Sequence, residues 1–290
     1  MLPAQFTPVL RLPRNTLGRD FIVGDIHGRL DLLRAALDEA KFDPSVDRLL
    51  SPGDLVDRGP YSLECAKLLD WDCVFSSRGN HEHMALESFN PDGSLAIDEA
   101  GLPAWLNNGM GWWLAIPPAG RVELLKRFAR LPVVIEVETS RGLIGIVHAD
   151  VPPDQSWSQF TKNVEALDPH TIMTALWGRQ RIQAGSRVGV SGVGRVFVGH
   201  TPQWMGLRRY GNVYAMDTGA VYGRSPERPN AGLSVANVLT GTAAMTQPQE
   251  SVTLWNVVDA PAPEGRLFGQ GPGYTTHDSL NWLTTWRKKA

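Results

Sequence analysis

The stretch FIVGDIHG, residues 21–28, decides the fold. Its three leading apolar residues predict a short buried strand that ends at a polar loop containing Asp25 and His27. After this stretch, apolar residues recur every three or four positions, which predicts a helix over residues 29–41. A strand, a polar loop and a helix in this order indicate the first unit of a parallel sheet.

The same order of strand, polar loop and helix occurs twice more within the first ninety residues. Leu49–Ser51 leads to Asp54, and Cys73–Ser76 leads to Asn80 and His81. Apolar residues at helical spacing follow each loop. Three such units predict an α/β fold with parallel strand pairing. Binding and catalytic groups of such sheets collect beyond the carboxyl ends of the strands, where these loops lie.

Residues 91–131 differ in composition from the units before them. They contain Trp105, Trp112 and Trp113, and they end in a helical pattern. We predict a mostly helical insertion beside the site, in which the three tryptophans form an aromatic core rather than a platform for a ligand.

The second half of the chain predicts more strands. Apolar runs predict strands at residues 132–138, 142–148, 196–198 and 213–216, and an alternating pattern extends over 232–257. Residues 163–177 carry a weak helical pattern. We divide the chain into an N-terminal extension, one α/β domain with the insertion, and a Pro/Gly-rich linker with a short C-terminal helix. These parts comprise residues 1–20, 21–258 and 259–290.

The composition excludes several classes of protein. Hydrophobic residues make up 42% of the 290-residue chain, enough for a folded core, and the formal net charge is −2. This near-neutral balance argues against nucleic-acid or anionic-membrane binding. Cys65 and Cys73 form no CxxC pair, and no apolar block has the length of a signal peptide or a transmembrane helix. We expect a cytoplasmic protein.

A set of polar residues stands where the predicted strands end. The set is Asp25, His27, Asp54, Asn80, His81, His148 and His200. Carboxylate, amide and imidazole groups together suit Mn, Fe, Zn or Co rather than Ca. The set exceeds what one ion needs and would serve two divalent ions about 3.5–4 Å apart, with Asp54 as the bridging carboxylate.

A dinuclear centre of this kind predicts hydrolysis of a phosphate ester. The two ions would lower the pKa of a shared water to about 7, so that a bridging hydroxide attacks the phosphorus directly. Arg58, Arg78 and Arg179 would bind the phosphate oxygens, because the guanidinium fork matches them. His81 is the candidate general acid for the leaving oxygen, and Asp57 would orient it.

Several motifs resemble those of the phosphoprotein phosphatase family within the metallophosphoesterases. The three core motifs are GDIHG at 24–28, GDLVDRG at 53–59 and GNHE at 79–82. Later motifs resemble those of bacteriophage and bacterial members: HAD at 148–150, LWGR at 176–179, GHT at 199–201 and DTGAV at 217–221. The resemblance extends from about residue 20 to residue 240 and keeps the family's order of motifs.

The resemblance implies a fold, a ligand set and an activity. The implied fold is a pair of packed mixed β-sheets flanked by helices, with a dinuclear metal site at the carboxyl ends of the strands. The implied ligands are Asp25, His27 and Asp54 for the first ion, and Asp54, Asn80, His148 and His200 for the second. The usual metal is Mn²⁺, and the substrates are proteins phosphorylated on serine or threonine. Phosphotyrosine and aryl phosphates are often hydrolysed as well.

Two other functions stay open at this point. A symmetric diadenosine tetraphosphate hydrolase would share the first motif, but such enzymes typically carry alanine where Asp57 stands and aspartate where Glu82 stands. A protein that binds phosphoproteins without hydrolysing them should have lost a ligand or the acid, and none is missing. Taken singly, the same residues would serve as turn formers, core histidines or salt-bridged arginines.

Overall fold

The computed structural model describes residues 6–240 and 243–244. Within this part, the strands are β1 (Val9–Leu12), β2 (Asp20–Val23), β3 (Arg48–Ser51), β4 (Val74–Ser76), β5 (Val134–Val137), β6 (Ile144–Val147), β7 (Arg195–Val198), β8 (Arg208–Tyr210), β9 (Val213–Ala215), β10 (Val235–Asn237) and β11 (Ala243–Ala244). The α-helices are α1 (Leu30–Glu39), α2 (Ser62–Ala66), α3 (Asn80–Ser88), α4 (Leu102–Asn107), α5 (Pro118–Arg130), α6 (Trp157–Glu165), α7 (Pro169–Trp177) and α8 (Gln180–Gln183). Two 3-10 helices cover Lys67–Asp70 and Met110–Ala115.

The strands form two mixed sheets. The first sheet has the order β11-β10-β2-β3-β4, and the second sheet has the order β1-β5-β6-β7-β9-β8. Strands β2, β3 and β4 pair in parallel, as the three repeated units predict, while β10 runs antiparallel to β2. Helices connect the parallel strands and cover the outer faces of the sheets. The predicted α/β architecture of two mixed sheets flanked by helices is therefore confirmed.

Side-chain alternation along the strands divides the core into layers. In β2, Ile22 points to the core between the two sheets, where it lies with Leu50 and Phe197. Its neighbours Phe21 and Val23 point to the opposite face and pack in the core that α1 covers. Short, mostly apolar strands suit this arrangement, because both faces of the central strands are largely buried.

The insertion packs as a helical unit against the first sheet's outer layer. Helix α4, the second 3-10 helix and α5 contribute Trp105, Trp113 and Phe128 to the same core cluster as α1. The ring of Trp113 lies 5.0 Å from that of Phe89 and 6.0 Å from that of Phe128. Two of the three tryptophans are thus buried in this core, whereas Trp112 is partly buried and packs against it.

The structure differs from the sequence-based elements at three places. The predicted N-terminal extension contains β1, which pairs in parallel with β5 at the edge of a sheet. The weak helical pattern of residues 163–177 belongs to two helices, α6 and α7, which Leu167 separates with a left-handed backbone (φ 55°). Helix α3 begins at Asn80, within the predicted polar loop rather than after it, so its first turn carries polar residues. The predicted linker and helix of residues 259–290 lie outside the described residues.

The helices within residues 6–240 were compared with the length and hydropathy of a membrane-spanning helix. None of them combines the length and apolar character needed to cross a bilayer.

Gly145 offers a test of the packing between β6 and α6. A Cβ atom at this position would overlap the indole of Trp157, which is 1% exposed and donates from Nε1 to Glu136 Oε1 at 2.7 Å. We expect Gly145→Ala to lower the free energy of unfolding by about 1–3 kcal/mol, because the buried ring has no room to move. Urea denaturation of the wild type and the variant measures the difference in the free energy of unfolding.

The matched control is Gly111→Ala, where an added Cβ would lie 3.4 Å from Leu106 Cδ2, an ordinary contact. An equal effect of the two substitutions would contradict the packing explanation.

Candidate metal centre

The carboxyl ends of strands from both sheets meet at one buried cluster. Residues from the first sheet follow β2, β3 and β4, and residues from the second follow β6 and β7. All of them are at least 94% buried: Asp25, His27, Asp54, Asn80, His81, His148 and His200. The polar residues that the sequence places at separate strand ends are therefore brought together.

Backbone hydrogen bonds fix the loops of the first sheet to one another. The carbonyl oxygen of Asp54 accepts from the N–H groups of Ile26 and His27 at 3.0 and 2.9 Å. Glu82, fully buried in the first turn of α3, accepts from the N–H groups of Asp54 and Gly79 through Oε2, each at 2.9 Å. This role of Glu82 was not among the predictions, although its place three residues after Gly79 is that of a capping-box glutamate.

Burial raises the pKa of Glu82 to about 7, and the nearby Asp54 carboxylate adds to the effect. The N–H groups of Asp54 and Leu55, the latter 2.9 Å from Oε1, act in the opposite direction. Glu82 is thus a link between the second and third loops.

Left-handed backbone conformations are concentrated in the site. Seven described residues other than glycine have positive φ, and five of them belong to the cluster or its loops. The five are His27 (44°), Asp54 (53°), Asp57 (71°), Arg58 (68°) and His200 (67°). Such conformations cost L-residues energy and persist only where the surroundings impose them.

Asp54 lies between two groups of histidines. Potential ligand atoms of His27, Asp54 and His81 lie within 4.8 Å of one another, as do those of Asp54, His148 and His200. Asp54 Oδ2 is 3.4 Å from His27 Nε2, whereas Oδ1 is 3.5 Å from His148 Nε2. This is the arrangement expected of a carboxylate shared by two cations.

The hydrogen-bond pattern of the imidazoles fits cation ligands. His27 Nδ1 is 2.9 Å from the carbonyl oxygen of Val56, and His148 Nδ1 is 3.1 Å from that of Pro52. A carbonyl only accepts, so each Nδ1 carries the proton and each Nε2 presents a lone pair to the cluster. His148 Nε2 lies 2.7 Å from Asn80 Oδ1, so two acceptors face each other with no hydrogen between them.

Buried polar atoms without partners point to the same conclusion. Asp25 Oδ1, His81 Nε2 and His200 Nε2 have no hydrogen-bond partner among the described residues. Asp25 Oδ2 accepts from the backbone N–H of His200 at 2.8 Å, although Asp25 lies outside both histidine groups. Burial raises the pKa of Asp25, and the carboxylates of Asp217 and Asp54 add to this effect. A divalent cation would supply the missing partners and the missing positive charge.

Burial also keeps three of the imidazoles neutral, as metal ligands must be. It lowers the pKa of His27 and His148, and it lowers that of His200 to about 2 with help from His148. His81 differs: burial opposes its charged form, but the carboxylates of Asp54 and Asp57 outweigh burial and raise its pKa.

His81 and Asp57 form a hydrogen-bonded pair. His81 Nδ1 is 2.7 Å from Asp57 Oδ2, so Nδ1 donates and Nε2 faces the cluster. The other oxygen of Asp57, Oδ1, accepts from Trp112 Nε1 at 2.6 Å. The predicted contact of His81 with Asp57 is therefore present, and the tryptophan behind Asp57 was not predicted.

Two of the three predicted arginines border the cluster. Arg58 Nη1 is 2.6 Å from His27 Nε2, and Arg179 Nη1 donates to Thr201 Oγ1 at 3.1 Å. Arg179 also donates to the carbonyl oxygen of His200 at 3.3 Å. Both guanidinium groups therefore lie where a phosphate at the cluster would meet them.

Arg78 is placed differently. Its guanidinium donates to the carbonyl oxygens of Ala129 and Leu131 at 2.9 and 3.2 Å, at the end of α5, and lies over the ring of Phe6. Burial lowers its pKa to about 10. The structure gives no support to the predicted phosphate contact, because the side chain turns toward the helix end, whose carbonyls attract a cation.

Comparison with known proteins assigns the class. Residues 21–217 match the family described as Calcineurin-like phosphoesterase, and the chain belongs to this family of metallophosphoesterases, enzymes that hydrolyse phosphoesters and use divalent metals. The resemblance drawn from the motifs is thus confirmed.

Individual relatives fall into two groups. The chain is 41% identical over 209 residues to serine/threonine-protein phosphatase 1 of Salmonella typhimurium, covering 70% of this chain and 87% of that protein. It is 32% identical over 161 residues to the symmetrical bis(5'-nucleosyl)-tetraphosphatase of Pseudomonas fluorescens, covering 53% and 52%. A crystal structure provisionally called a diadenosine tetraphosphatase matches with a TM-score of 0.57 at 24% identity, covering 87% of this chain and all of that one, and shows the shared fold.

Arg78 and Arg58 allow a structural arginine to be separated experimentally from one that is predicted to bind phosphate. We expect Arg78→Met to lower the free energy of unfolding by about 1–3 kcal/mol, because buried carbonyls lose their donor. Inhibition of aryl phosphate hydrolysis by inorganic phosphate should stay unchanged in this variant.

Arg58→Met is the matched control and should weaken phosphate inhibition without a comparable loss of stability. Weaker phosphate inhibition in a stable Arg78→Met protein would show that the structural interpretation is wrong.

Proposed function

We propose that this protein is a metal-dependent phosphomonoesterase that dephosphorylates phosphoserine and phosphothreonine in proteins. Its activity extends to phosphotyrosine and aryl phosphates. The observation that carries the proposal is the buried cluster in which Asp54 lies between two histidine groups, with Arg58 and Arg179 beside it. The similarity to a serine/threonine-protein phosphatase over 70% of the chain supports the substrate class.

The proposed cofactor is a pair of divalent cations, with Mn²⁺ as the first choice and Fe, Zn or Co as alternatives. The ligands would be Asp25, His27 and Asp54 on one side, and Asp54, Asn80, His148 and His200 on the other. Cations bound there would lower the pKa of coordinated water and balance the charge of the phosphate.

The chain's own groups complete the reaction. Arg58 and Arg179 bind the phosphate oxygens that do not take part in bond breaking, and so orient the ester. His81 Nε2 donates a proton to the leaving oxygen, and Asp57 holds the ring through Nδ1. The attacking water approaches from the opposite side of the phosphorus.

The alternative function is symmetric hydrolysis of diadenosine tetraphosphate, which the similarity to the Pseudomonas fluorescens enzyme favours. Asp57 and Glu82 favour the phosphatase, because the hydrolases typically carry alanine and aspartate there. Glu82 reaches the N–H groups of both neighbouring loops, a span that the shorter aspartate side chain would not cover in the same way.

Substrate competition tests the proposal. At equal enzyme and with Mn²⁺ added, we expect phosphoserine and phosphothreonine peptides to be hydrolysed and diadenosine tetraphosphate to be hydrolysed more slowly. Turnover of the dinucleotide alone would establish the alternative. Tight binding of phosphopeptides without Mn²⁺-dependent hydrolysis of any ester would indicate a binding protein instead.

The acid role of His81 predicts a dependence on the leaving group. We expect His81→Asn to lower turnover of phosphoserine peptides by roughly 10²–10⁴-fold, the usual contribution of a positioned general acid. The loss should be smaller for p-nitrophenyl phosphate, because that leaving group needs no proton.

His83→Asn serves as the matched control, because His83 lies on the same helix and faces Glu87 at 3.4 Å rather than the cluster. It should leave both rates close to wild type. Equal losses on the two substrates in His81→Asn would count against the acid role.

A further inference from the structure

Trp112 connects the helical insertion to the predicted acid. It lies in the 3-10 helix Met110–Ala115, and its ring is 4.7 Å from that of Trp113, which is fully buried. From this supported position its Nε1 donates to Asp57 Oδ1 at 2.6 Å. An indole has a single donor, so this hydrogen bond fixes which way the ring faces.

Asp57 is held from both sides. It has no exposed surface, and its two carboxylate oxygens have different partners: Trp112 on Oδ1 and His81 on Oδ2. A carboxylate with both oxygens bound has one orientation. Without the indole N–H, Asp57 Oδ1 would be buried without a donor. Rotation of the carboxylate toward another donor would then lower its free energy.

The insertion contacts the next residue of the same loop as well. The carbonyl oxygen of Gly109 accepts from the backbone N–H of Arg58 at 3.1 Å. Gly109 has a left-handed backbone with φ of 84°, and a Cβ there would overlap the backbone of Arg58. The insertion therefore packs directly on Asp57, which orients the proposed acid His81, and on the adjacent Arg58, which is proposed to bind the anion.

We propose that Trp112 is a positioning residue, which orients the Asp57 carboxylate and through it holds His81 in line with the leaving oxygen. This inference rests on the proposed function and adds to it, because it makes the insertion part of the acid machinery. The indole N–H donates to Asp57 and to no other described residue, so its effect on the reaction passes through that carboxylate.

Trp112→Phe tests the inference, because it keeps an aromatic ring and removes the N–H. For a phosphoserine peptide with Mn²⁺ present, we expect kcat to fall roughly 10- to 100-fold, as for other residues that orient a functional imidazole, with KM unchanged. The fall should be smaller for p-nitrophenyl phosphate. Trp112→Leu gives the same comparison should the phenylalanine variant not fold.

Trp105→Phe is the matched control. Trp105 belongs to the same insertion and donates from Nε1 to Ser88 Oγ at 3.0 Å, away from the cluster. We expect this variant to change the free energy of unfolding and to leave the ratio of the two kcat values at its wild-type level. Equal behaviour of Trp105→Phe and Trp112→Phe would overturn the inference.

A double-mutant cycle separates positioning from general weakening. In an Asp57→Asn background, Trp112→Phe should cost no more than about twofold in kcat, because the residue through which it acts is already lost. Full additivity of the two losses would overturn the inference.

If His81→Asn itself shows no dependence on the leaving group, the proposed acid role fails. If the loss in His81→Asn depends on the leaving group and the loss in Trp112→Phe does not, the acid role stands and only the positioning role of Trp112 fails.

Discussion

The organisation of the site depends on Asp54, whose backbone and side chain bind all three loops of the first sheet. Its carbonyl accepts from the loop after β2, its N–H donates to Glu82, and its Oδ1 accepts from the N–H of His81 at 3.0 Å. Burial favours the neutral acid, but the imidazole of His81, whose own pKa is raised, and the backbone N–H of the same residue favour the carboxylate and lower the pKa of Asp54. One ionised carboxylate thus orders the loops and places a negative charge between the two groups of histidines.

The second sheet supplies the other half of the cluster, and its distance from the first is set by packing. Ile22 and Leu50 from one sheet meet Ile146 and Phe197 from the other in a shared apolar layer. Polar bonds continue this contact beyond the strand ends, where the N–H of His200 donates to Asp25. Because close-packed interiors deform little, the layer holds the two sets of ligands at a fixed separation.

Much of this arrangement follows from the sequence, because it depends on periodicity and on where apolar runs stop. The parallel units and the convergence of Asp54 with His148 belong to this kind of information, whereas the pair of mixed sheets was implied by the resemblance of the motifs. What the sequence does not contain is the direction of a long side chain. Arg78 has the same local context as a phosphate-binding arginine, yet its guanidinium lies at the end of α5.

The missed features share a second cause, which is contact across a long sequence separation. Trp112 meets Asp57 only because the insertion folds back over the loop, and no local pattern encodes that contact. Strand β1 is visible as a strand only through its pairing with β5, far along the chain. Glu82 is the exception, since its helix-start spacing was a readable local signal.

The left-handed backbone of the cluster residues has a consequence for the evolution of the protein. Each such residue costs on the order of 1–3 kcal/mol, and substitution by glycine would release that cost. At positions 27, 54, 57, 58 and 200 the backbone conformation favours glycine, whereas the site needs a side chain there, so part of the folding free energy holds these residues in unfavourable conformations. In this fold, thermodynamic stability and catalytic activity therefore place opposite requirements on the same five residues.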